Sequence, residues 1–387
     1  MKIKATKANR LISSEMFSQI PATLLRAFAG AVTLLVLLTT TVGPVHAQAK
    51  QLVVRGSYQH INGVNLPWMR NNTSNYGHDI GPNHYTNYGY NYVGSDVDNY
   101  YADIKNMHAN IVRVWLFETL QGLTFGSNGH ITGIDGTFLN NLKDMVQRAN
   151  NHGIALELTV NTNSDIAQNG YPAGGGGKVV NWVTDSGAQT DFLNNVVKPL
   201  AQTFNGNYGV YGYDIMNECN YAVSSGYCSW PQLHSYIYNT AQAIHSINAS
   251  TQVTCSTDDV NSFVTGNFYN RVGGVGLNFY DYHNYSDSPN LFSLGSSGPY
   301  PQIDRPIVLA EYGPRTTGNA SIQNTVTDAF ISQASNNGWA GASIWDYDPM
   351  GSDNLTIVSG VGTGGNTSYW HSCCFTLQYY SVHQFGL

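Results

Sequence analysis

The sequence predicts an α/β protein that folds as a single (β/α)8 barrel, the TIM barrel, with loop insertions on the face where such barrels carry their chemistry. Eight short apolar runs alternate with longer amphipathic stretches along the chain. The runs are apolar throughout, which is typical of parallel strands that are buried on both faces. Eight such strands predict a closed barrel. An open, doubly wound sheet is the alternative that this pattern leaves.

The predicted strands and helices follow one another in order. The apolar runs cover residues 61–66, 110–117, 154–160, 210–216, 251–256, 275–282, 306–311 and 340–345. The helical segments cover residues 96–108, 136–152, 188–204, 229–248 and 321–337, with a weaker one at 258–271. Asp96 is placed as a helix N-cap, and Gly153 and Gly338 stand where helices should stop. Residues 286–305 read more as loop than as helix.

Two long insertions, residues 69–94 and 162–187, follow strand ends, so both belong on the catalytic face of the predicted barrel. No Pro- or Ser-rich linker divides the rest of the chain. About 340 residues remain after the first 47, which suits one barrel of roughly 250 residues with insertions. We therefore expect a single domain over residues 48–387.

The first 47 residues predict a secretory signal peptide. Five basic residues stand against one acidic residue, and an apolar run extends from Ala27 to about Val42. Val45-His46-Ala47 then has the small-x-small pattern of a cleavage site. The run of about 16 residues is shorter than the roughly 20 of a spanning helix, so cleavage near Ala47 is favoured over a retained membrane anchor. We expect a secreted or periplasmic chain without integral membrane association.

Charge and composition narrow the class of partner. Without the first 47 residues the chain keeps 12 lysines and arginines against 23 acidic residues, a net charge of −11. Nucleic acid, a polyanion, would be repelled by this charge, whereas a neutral polysaccharide would not. The chain contains 26 Tyr and 7 Trp, whose rings can stack on sugars. A polar extracellular surface would explain the same composition. We expect a monomer that binds a β-linked polysaccharide or oligosaccharide.

Five cysteines suit an oxidising compartment, and Cys219 and Cys228 are the first candidates for a disulfide because they are close in sequence. The odd count leaves at least one thiol without a partner in the chain. No CxxC or HExxH spacing is present, so we expect no metal and no cofactor. Four aspartates could suggest calcium but are more simply surface or strand-end residues: Asp258, Asp259, Asp281 and Asp287.

Two glutamates come directly after apolar runs and are the candidate catalytic residues. The fourth run leads into Asn217-Glu218, and the seventh ends at Glu311. In a (β/α)8 barrel the carboxyl ends of the strands carry the chemistry. A carboxylate in that position is costly without a role or a partner. Two glutamates across a barrel mouth are what glycoside cleavage requires, because one protonates the leaving oxygen and the other attacks the anomeric carbon or activates water.

With these residues the sequence resembles the clan A glycoside hydrolases, and within them family 5, the cellulase and mannanase family. The resemblance covers essentially the whole mature chain. Its motifs occur in the family's strand order: Gly63-Val64-Asn65, Arg113, Asn217-Glu218, His283-Asn284-Tyr285, Glu311 and Trp345.

The resemblance implies a role for each of these positions. Glu218 would be the acid/base and Glu311 the nucleophile of a retaining mechanism, with their carboxyl groups about 5–5.5 Å apart. Such an acid needs surroundings that raise its pKa, and the nucleophile needs a cation to stay charged. The supporting roles are these: Arg113 holds Glu311 ionised, Tyr285 hydrogen-bonds Glu311, Asn217 binds the sugar 2-hydroxyl, His283 orients Glu218, and Trp345 stacks on the sugar that is cleaved.

The sequence departs from the family at two positions. Cellulases of family 5 usually end the third strand with histidine, where this chain has Leu156-Glu157-Leu158-Thr159-Val160-Asn161. Cys219 stands where many members have proline after the acid/base glutamate. The missing histidine weakens the cellulase assignment in particular. Asn161, residues 174–177 and Trp182 loosely resemble mannanases. Trp68 and Trp115, at the ends of the first two strands, are either sugar platforms or core residues.

The sequence thus predicts a secreted, retaining glycoside hydrolase of the cellulase family that acts on β-1,4-linked glucan or mannan. One alternative is an exo-acting β-glycosidase of the same clan, since the insertions could close the groove into a pocket. A second is a non-catalytic carbohydrate-binding protein on the same barrel. A transglycosylase would use the same covalent intermediate.

Overall fold

Eight parallel strands form the centre of the structure, a computed structural model that describes residues 51–67, 92–168, 178–265, 271–295, 298–315 and 320–347. Several predictions fall outside these residues: the signal peptide and its cleavage site, Trp68, most of the first insertion, residues 174–177, Cys373 and Cys374. Among the described residues, no helix is both long and apolar enough to cross a bilayer.

The strands in the described residues are β1 (Leu52–Val54), β2 (Ser57–Gln59), β3 (Ile61–Asn65), β4 (Ile111–Trp115), β5 (Leu123–Phe125), β6 (Ile131–Ile134), β7 (Ala155–Thr159), β8 (Val210–Asp214), β9 (Gln252–Thr254), β10 (Tyr280–Tyr285), β11 (Ile307–Gly313) and β12 (Gly341–Ile344). One sheet has the order β10-β11-β12-β3-β4-β7-β8-β9, and all its neighbours are parallel. A bridge between Thr257 and Tyr282 joins its two outer strands. The predicted (β/α)8 barrel is confirmed.

The helices lie between these strands. They are α1 (Gly94–Asn106), α2 (Gly136–Asn151), α3 (Ser186–Phe192), α4 (Lys198–Thr203), α5 (Asn220–Ser224), α6 (Trp230–Ile247) and α7 (Ala320–Asn336), with a π-helical stretch, Leu193–Val197, between α3 and α4. Helix α2 begins where the Asp135 carboxylate accepts the backbone N–H groups of Thr137 and Phe138. It ends before Gly153, whose φ of +70° suits glycine. Asp96 is not an N-cap, because α1 begins two residues earlier and Asp96 lies in its first turn.

Three local differences from the prediction have a physical reason. The sixth strand occupies Tyr280–Tyr285 rather than beginning at residue 275, because Gly274 and Gly276 have positive φ and interrupt the extended run. The weaker helix at 258–271 is a single 3-10 turn, Val260–Ser262, in its described part. Two hairpins, β1-β2 and β5-β6, were not predicted, because strands of three or four residues give too short a pattern.

The interior of the barrel has two layers of different character. A separate apolar cluster joins the first residues of the strands to the β1-β2 hairpin, and includes Ile111, Ala155, Phe279 and Val308 packed with Val54. Side chains alternate along a strand, so the next inward positions lie two residues further on. Those positions are Arg113 on β4, Glu157 on β7 and Asp281 on β10, all buried. Apolar side chains thus fill one end of the barrel and charged ones the other.

The three described cysteines, Cys219, Cys228 and Cys255, are free thiols, and the disulfide predicted between Cys219 and Cys228 is not formed. Cys219 is buried and its thiol interacts with that of Cys255, which is also buried. Cys228 is only partly buried. Closeness in sequence suggested the pairing, but Cys219 directs its side chain into the core rather than along the loop.

Candidate active site

Glu218 and Glu311 meet at the carboxyl end of the barrel, as predicted. Glu311 lies within β11, and Glu218 follows β8 by four residues. Carboxylate oxygens of both residues and a ring nitrogen of His283 all lie within 4.8 Å of one another. The adjacent Asn217 is held by a parallel bridge to Thr162 in the loop after β7. Four strands therefore converge on this pair of carboxyl groups.

Glu311 is buried and is held at both oxygens. Its Oε1 accepts a hydrogen bond of 2.5 Å from Nη1 of Arg113, and its Oε2 accepts one of 2.8 Å from the hydroxyl of Tyr285. Nδ1 of His283 lies 3.4 Å from the same Oε2. Hydrogen bonds from charged or polar donors to a carboxylate favour its ionised form and fix its orientation. The contacts expected of Arg113 and Tyr285 are both present.

Glu218 is more accessible, with 24% of its side chain exposed, and has a single side-chain partner. Its Oε1 lies 3.1 Å from Nδ1 of His283. Its φ is +47°, in the left-handed region that L-residues adopt uncommonly and that is enriched at functional sites. The backbone N–H of Glu218 donates to Oγ of Ser256, which helps to hold this turn. Glu218 is therefore presented to solvent from a constrained backbone, whereas Glu311 is fixed inside.

Arg113 connects the two sides of the site and is completely buried. Nη1 donates to Glu311 and to Oδ1 of Asn65 at 3.0 Å. Nη2 donates to Oδ2 of Asp214 and to Oδ1 of Asn217, both at 2.7 Å. Burial lowers the pKa of Arg113, but the neighbouring carboxylates, Glu311 foremost, outweigh it and raise the pKa. Because Arg113 occupies Oδ1 of Asn217, the Nδ2 amide is the part of Asn217 that can donate to a substrate hydroxyl.

The pKa shifts of the two glutamates are the reverse of those expected for an acid and a nucleophile. Burial raises the pKa of Glu218, but the hydrogen bond from His283 and the charges of His283 and Arg113 outweigh it and lower the pKa. Burial raises the pKa of Glu311 despite His283 and Arg113, which lower it. Burial explains the reversal, since Glu311 is almost completely buried whereas Glu218 is partly exposed and also accepts the hydrogen bond from His283. The two glutamates therefore differ in role through their contacts and exposure, not through their pKa order in the free protein.

Two tryptophans lie side by side next to this pair. The rings of Trp115 and Trp345 are 5.5 Å apart between centroids, tilted at 45°. Trp345 is buried, and Trp115 at the end of β4 is only partly so. Trp182, part of the loose mannanase likeness, is instead a core residue stacked on Phe192. Asn161 is also buried, where its Oδ1 accepts a hydrogen bond from Tyr236.

Several site residues were missed from the sequence. Asp214 accepts hydrogen bonds from Arg113, from Oγ and the backbone N–H of Ser256, and from Oγ1 of Thr159. Asp281 is completely buried on β10 rather than at a surface or a strand end. The available signal was an acidic residue inside an otherwise apolar run, which applies to Glu157 as well.

Within the described part of the chain, two groups of side chains have donor atoms close enough to hold a metal ion in principle. One is Glu218, His283 and Glu311, and the other is Glu157, Asp214 and Asp281, each with its atoms within 4.8 Å. In the first group the donors already bond to one another and to Arg113 and Tyr285. Two carboxyl groups that exchange a proton suffice for glycoside cleavage. The expectation of no metal and no cofactor stays a prediction.

The chain is similar in sequence and in fold to several proteins described as mannanases. The chain is 23% identical over 341 residues to a mannan endo-1,4-beta-mannosidase of Mytilus edulis, covering 77% of this chain and 86% of that protein. The β-mannanase structure from the same mussel superposes with a TM-score of 0.60 at 20% identity, over 88% of this chain and 98% of the mussel chain.

A β-1,4-D-mannanase from Cryptopygus antarcticus gives a TM-score of 0.60 at 20% identity, over 86% of this chain and 93% of that chain. An exo-β-1,4-mannosidase from an Opitutaceae bacterium gives a TM-score of 0.58 at 14% identity, over 86% of this chain and 62% of that chain. At these identities the solved structures support the fold alone. The family model described as cellulase, glycosyl hydrolase family 5, matches residues 62–351. The chain therefore belongs to glycosyl hydrolase family 5 and is a glycoside hydrolase.

Proposed function

We propose that this protein is a secreted endo-acting β-1,4-mannanase that cleaves with retention of configuration. The observation that carries the proposal is the pair Glu218 and Glu311, whose carboxylate oxygens approach within 4.8 Å. Retaining enzymes place the two carboxyl groups about 5–5.5 Å apart, whereas inverting enzymes need roughly 6.5–9.5 Å to admit a water. The choice of mannan over glucan is supported by the relative from Mytilus edulis and by the absence of a histidine at the end of the third barrel strand, where Asn161 stands.

In the first step Glu311 attacks the anomeric carbon while Glu218 donates its proton to the leaving glycosidic oxygen. Arg113 and Tyr285 hold the Glu311 carboxylate in position for this attack. In the second step Glu218, now ionised, takes a proton from water. The water attacks the anomeric carbon from the face that the leaving group vacated, and Glu311 is released. Two inversions at one carbon give net retention.

The remaining residues position the substrate. Nδ2 of Asn217 binds the 2-hydroxyl of the sugar that is cleaved, a contact that strengthens in the transition state. His283 orients the Glu218 carboxyl through Nδ1. Trp345 and Trp115 supply aromatic surface beside that sugar, and Trp68 is proposed as a further platform. Secretion rests on the predicted signal peptide over residues 1–47.

The polymer specificity is tested with a reducing-sugar assay on galactomannan, glucomannan, carboxymethylcellulose, xylan and laminarin, with Glu218→Gln as the matched inactive control. We expect activity on the two mannans that the control lacks. Activity on carboxymethylcellulose alone would contradict the mannan assignment. Single mannose units as the first product would indicate an exo-acting enzyme.

The roles of the two glutamates are separated by azide rescue on a 2,4-dinitrophenyl β-mannobioside. Its leaving group needs no protonation, so Glu218→Ala still forms the covalent intermediate, and azide then gives the β-glycosyl azide. In Glu311→Ala, azide replaces the nucleophile and gives the α-glycosyl azide. The opposite assignment of products would exchange the two roles. Inverted anomers from the unmodified enzyme in an early NMR time course would contradict retention.

A further inference from the structure

A second pair of carboxyl groups lies beneath the catalytic pair. Glu157 on β7 and Asp281 on β10 are 3% and 0% exposed, and each stands two residues beyond the apolar layer of the barrel. Their oxygens, with those of Asp214, lie within 4.8 Å of one another. Nε of Arg113 lies 3.7 Å from Oε1 of Glu157. Arg113 therefore has the catalytic Glu311 on one side and this second pair on the other.

The four buried carboxyl groups around Arg113 differ in how they are satisfied. Asp214 and Glu311 each accept at least two hydrogen bonds from neighbouring side chains. Among the described residues, neither oxygen of Asp281 has a hydrogen-bond partner, and neither has Oε1 of Glu157. A buried carboxylate without a donor or a close cation is very costly. Two such carboxylates facing each other would add their mutual repulsion to that cost.

A single proton removes this difficulty. We propose that Glu157 and Asp281 share one proton, carried by Asp281 and donated to Glu157, and that the pair positions Arg113 by placing one negative charge beneath it. The assignment to Asp281 follows from the geometry, because Glu157 faces the cation and Asp281 does not. Burial and the neighbouring Glu157 raise the pKa of Asp281 well above its ordinary value, and burial raises that of Glu157. The proposal concerns the site of the proposed function and rests on it.

The surrounding groups agree with a proton rather than a metal ion between the two carboxyls. Asp214 is the third member of the group, and its oxygens already accept hydrogen bonds from Arg113, Ser256 and Thr159. Arg113 itself supplies the positive charge at this layer. His283 on β10 and Tyr211 on β8 are the other titratable groups that interact electrostatically with the pair. The buried Tyr211 hydroxyl has no hydrogen-bond partner among the described residues.

The number of charges beneath Arg113 matters for catalysis. With one shared proton the pair carries a charge of −1. The positive charge of Arg113 then interacts with this charge and with those of Asp214 and Glu311. A second negative charge would repel the Glu311 carboxylate and raise its pKa, whereas loss of the first would leave more of the Arg113 charge for Glu311 and lower that pKa. Glu157 and Asp281 are thus positioning residues that act through Arg113.

Amide substitutions test the charge count, because each keeps shape and hydrogen bonding. In Asp281→Asn the charge remains on Glu157, and in Glu157→Gln it moves to Asp281, where the new amide donates to it. Glu311 has the higher pKa of the catalytic pair in the free enzyme and therefore sets the alkaline limb of the kcat/KM pH profile. We expect both single variants to keep that limb within about 0.2 pH units, and the double variant to lower it by about 0.5–1 unit. A purely structural role would change stability or rate without this pattern.

Two outcomes overturn the proposal. If each single variant lowers the alkaline limb and the two shifts add up in the double variant, both carboxyls are ionised. If the double variant leaves the limb unchanged, the pair carries no charge. Should the double variant not fold, a shift in either single variant decides against the pair.

Infrared spectroscopy tests the proton without relying on activity, so its result stays separate from any failure of the proposed function. The measurement uses Glu218→Gln as background, because Glu218 is itself an acid, and records the carbonyl stretch of protonated carboxyl groups at neutral pH. We expect Asp281→Asn to remove one such band. No band lost in Asp281→Asn would overturn the assignment.

Discussion

The two ends of the barrel interior are built on the same strands but differ in chemical character, since one is apolar and the other ionic. At the amino end, Ile111, Ala155 and Phe279 pack with Val308 against the β1-β2 hairpin. Two residues further along three of those strands stand Arg113, Glu157 and Asp281, none of which reaches solvent appreciably. The backbone geometry hardly changes between the layers, yet the interior changes from apolar to ionic within about 7 Å of strand.

This difference indicates where stability and function lie. An apolar layer gains free energy from burial and packing. A buried ionic layer gains little net stability, because desolvation offsets attraction, but loses much when one partner is removed. Substitutions at the amino end should therefore lower stability alone, whereas removal of a partner at the carboxyl end should lower both stability and rate. Substitutions in the two layers can test this division.

The largest effect is expected where the ionic layer loses its only arginine. Arg113→Met would leave Asp214 and Glu311 buried without their cation, at a cost of about 3–5 kcal/mol in the free energy of unfolding. The nucleophile would also lose its main anchor, so we expect kcat/KM to fall by at least about 10³-fold, as when preorganised electrostatic partners are removed. Urea unfolding and mannan hydrolysis measure the two. Arg113→Lys is the control. It should recover only part of the lost stability and activity, because an ammonium cannot span both carboxylates. Activity above a tenth in Arg113→Met would contradict this role.

In the apolar layer, Phe279→Ala should lower the free energy of unfolding without abolishing activity. Phe279 is fully buried and packs on Tyr211, with ring centroids 5.5 Å apart. Truncation of a buried phenylalanine costs about 3–5 kcal/mol through lost burial and the remaining cavity. We expect kcat/KM of the folded enzyme to stay within about twofold at a temperature well below its Tm, since no polar contact of the site changes. Phe279→Leu should be milder. A loss of rate as large as that in Arg113→Met would erase the distinction between the layers.

The same comparison explains what the sequence could predict. The apolar layer and the eight strands follow from hydrophobic runs, and the boundaries differ mostly by one or two residues. Glu218 and Glu311 stand out because they come where apolar runs end. Glu157 and Asp281 did not, because a strand buried on both faces has no alternation that separates inward from outward positions. Asp281 therefore read as an ordinary strand-end residue.

Strand register is a second feature of the site that could not be predicted from the sequence. The pairing of β10 with β11 shifts between Tyr282 and His283, and that of β11 with β12 shifts between Leu309 and Tyr312. Such irregularities redirect side chains and concentrate near active sites. Contacts such as Arg113 with Asp214, or His283 with both glutamates, depend on them and on three-dimensional closure. The pKa order of the two glutamates depends in turn on burial and on those contacts, neither of which can be read from the sequence.

Within the ionic layer, Tyr285→Phe removes one hydrogen bond and leaves the ring. The Tyr285 hydroxyl donates to Oε2 of Glu311 and lowers its pKa. A hydrogen bond to a charged group contributes about 1.5–3 kcal/mol, so kcat/KM should fall by roughly 10–100-fold. Glu311 has the higher pKa of the two glutamates in the free enzyme, so the alkaline limb of the kcat/KM profile should move to higher pH. The acid limb, which reports the lower pKa of Glu218, should not move. Equal movement of both limbs would mean that Tyr285 does not act on Glu311 alone.

The smallest expected effect, and the most specific, concerns His283, which contacts both glutamates. Its hydrogen bond and charge lower the pKa of Glu218, and its charge lowers that of Glu311. His283→Ala removes both influences, so both pKa values rise and the whole bell-shaped profile of kcat/KM should move up by about 1 pH unit. His283→Asn keeps an N–H donor without a charge and should move it less. Because the nucleophile is needed ionised and the acid protonated, both limbs shift in the same direction, unlike in Tyr285→Phe. An unmoved acid limb in His283→Ala would show that Glu218 keeps its pKa without His283, and that the histidine does not link the two carboxyl groups.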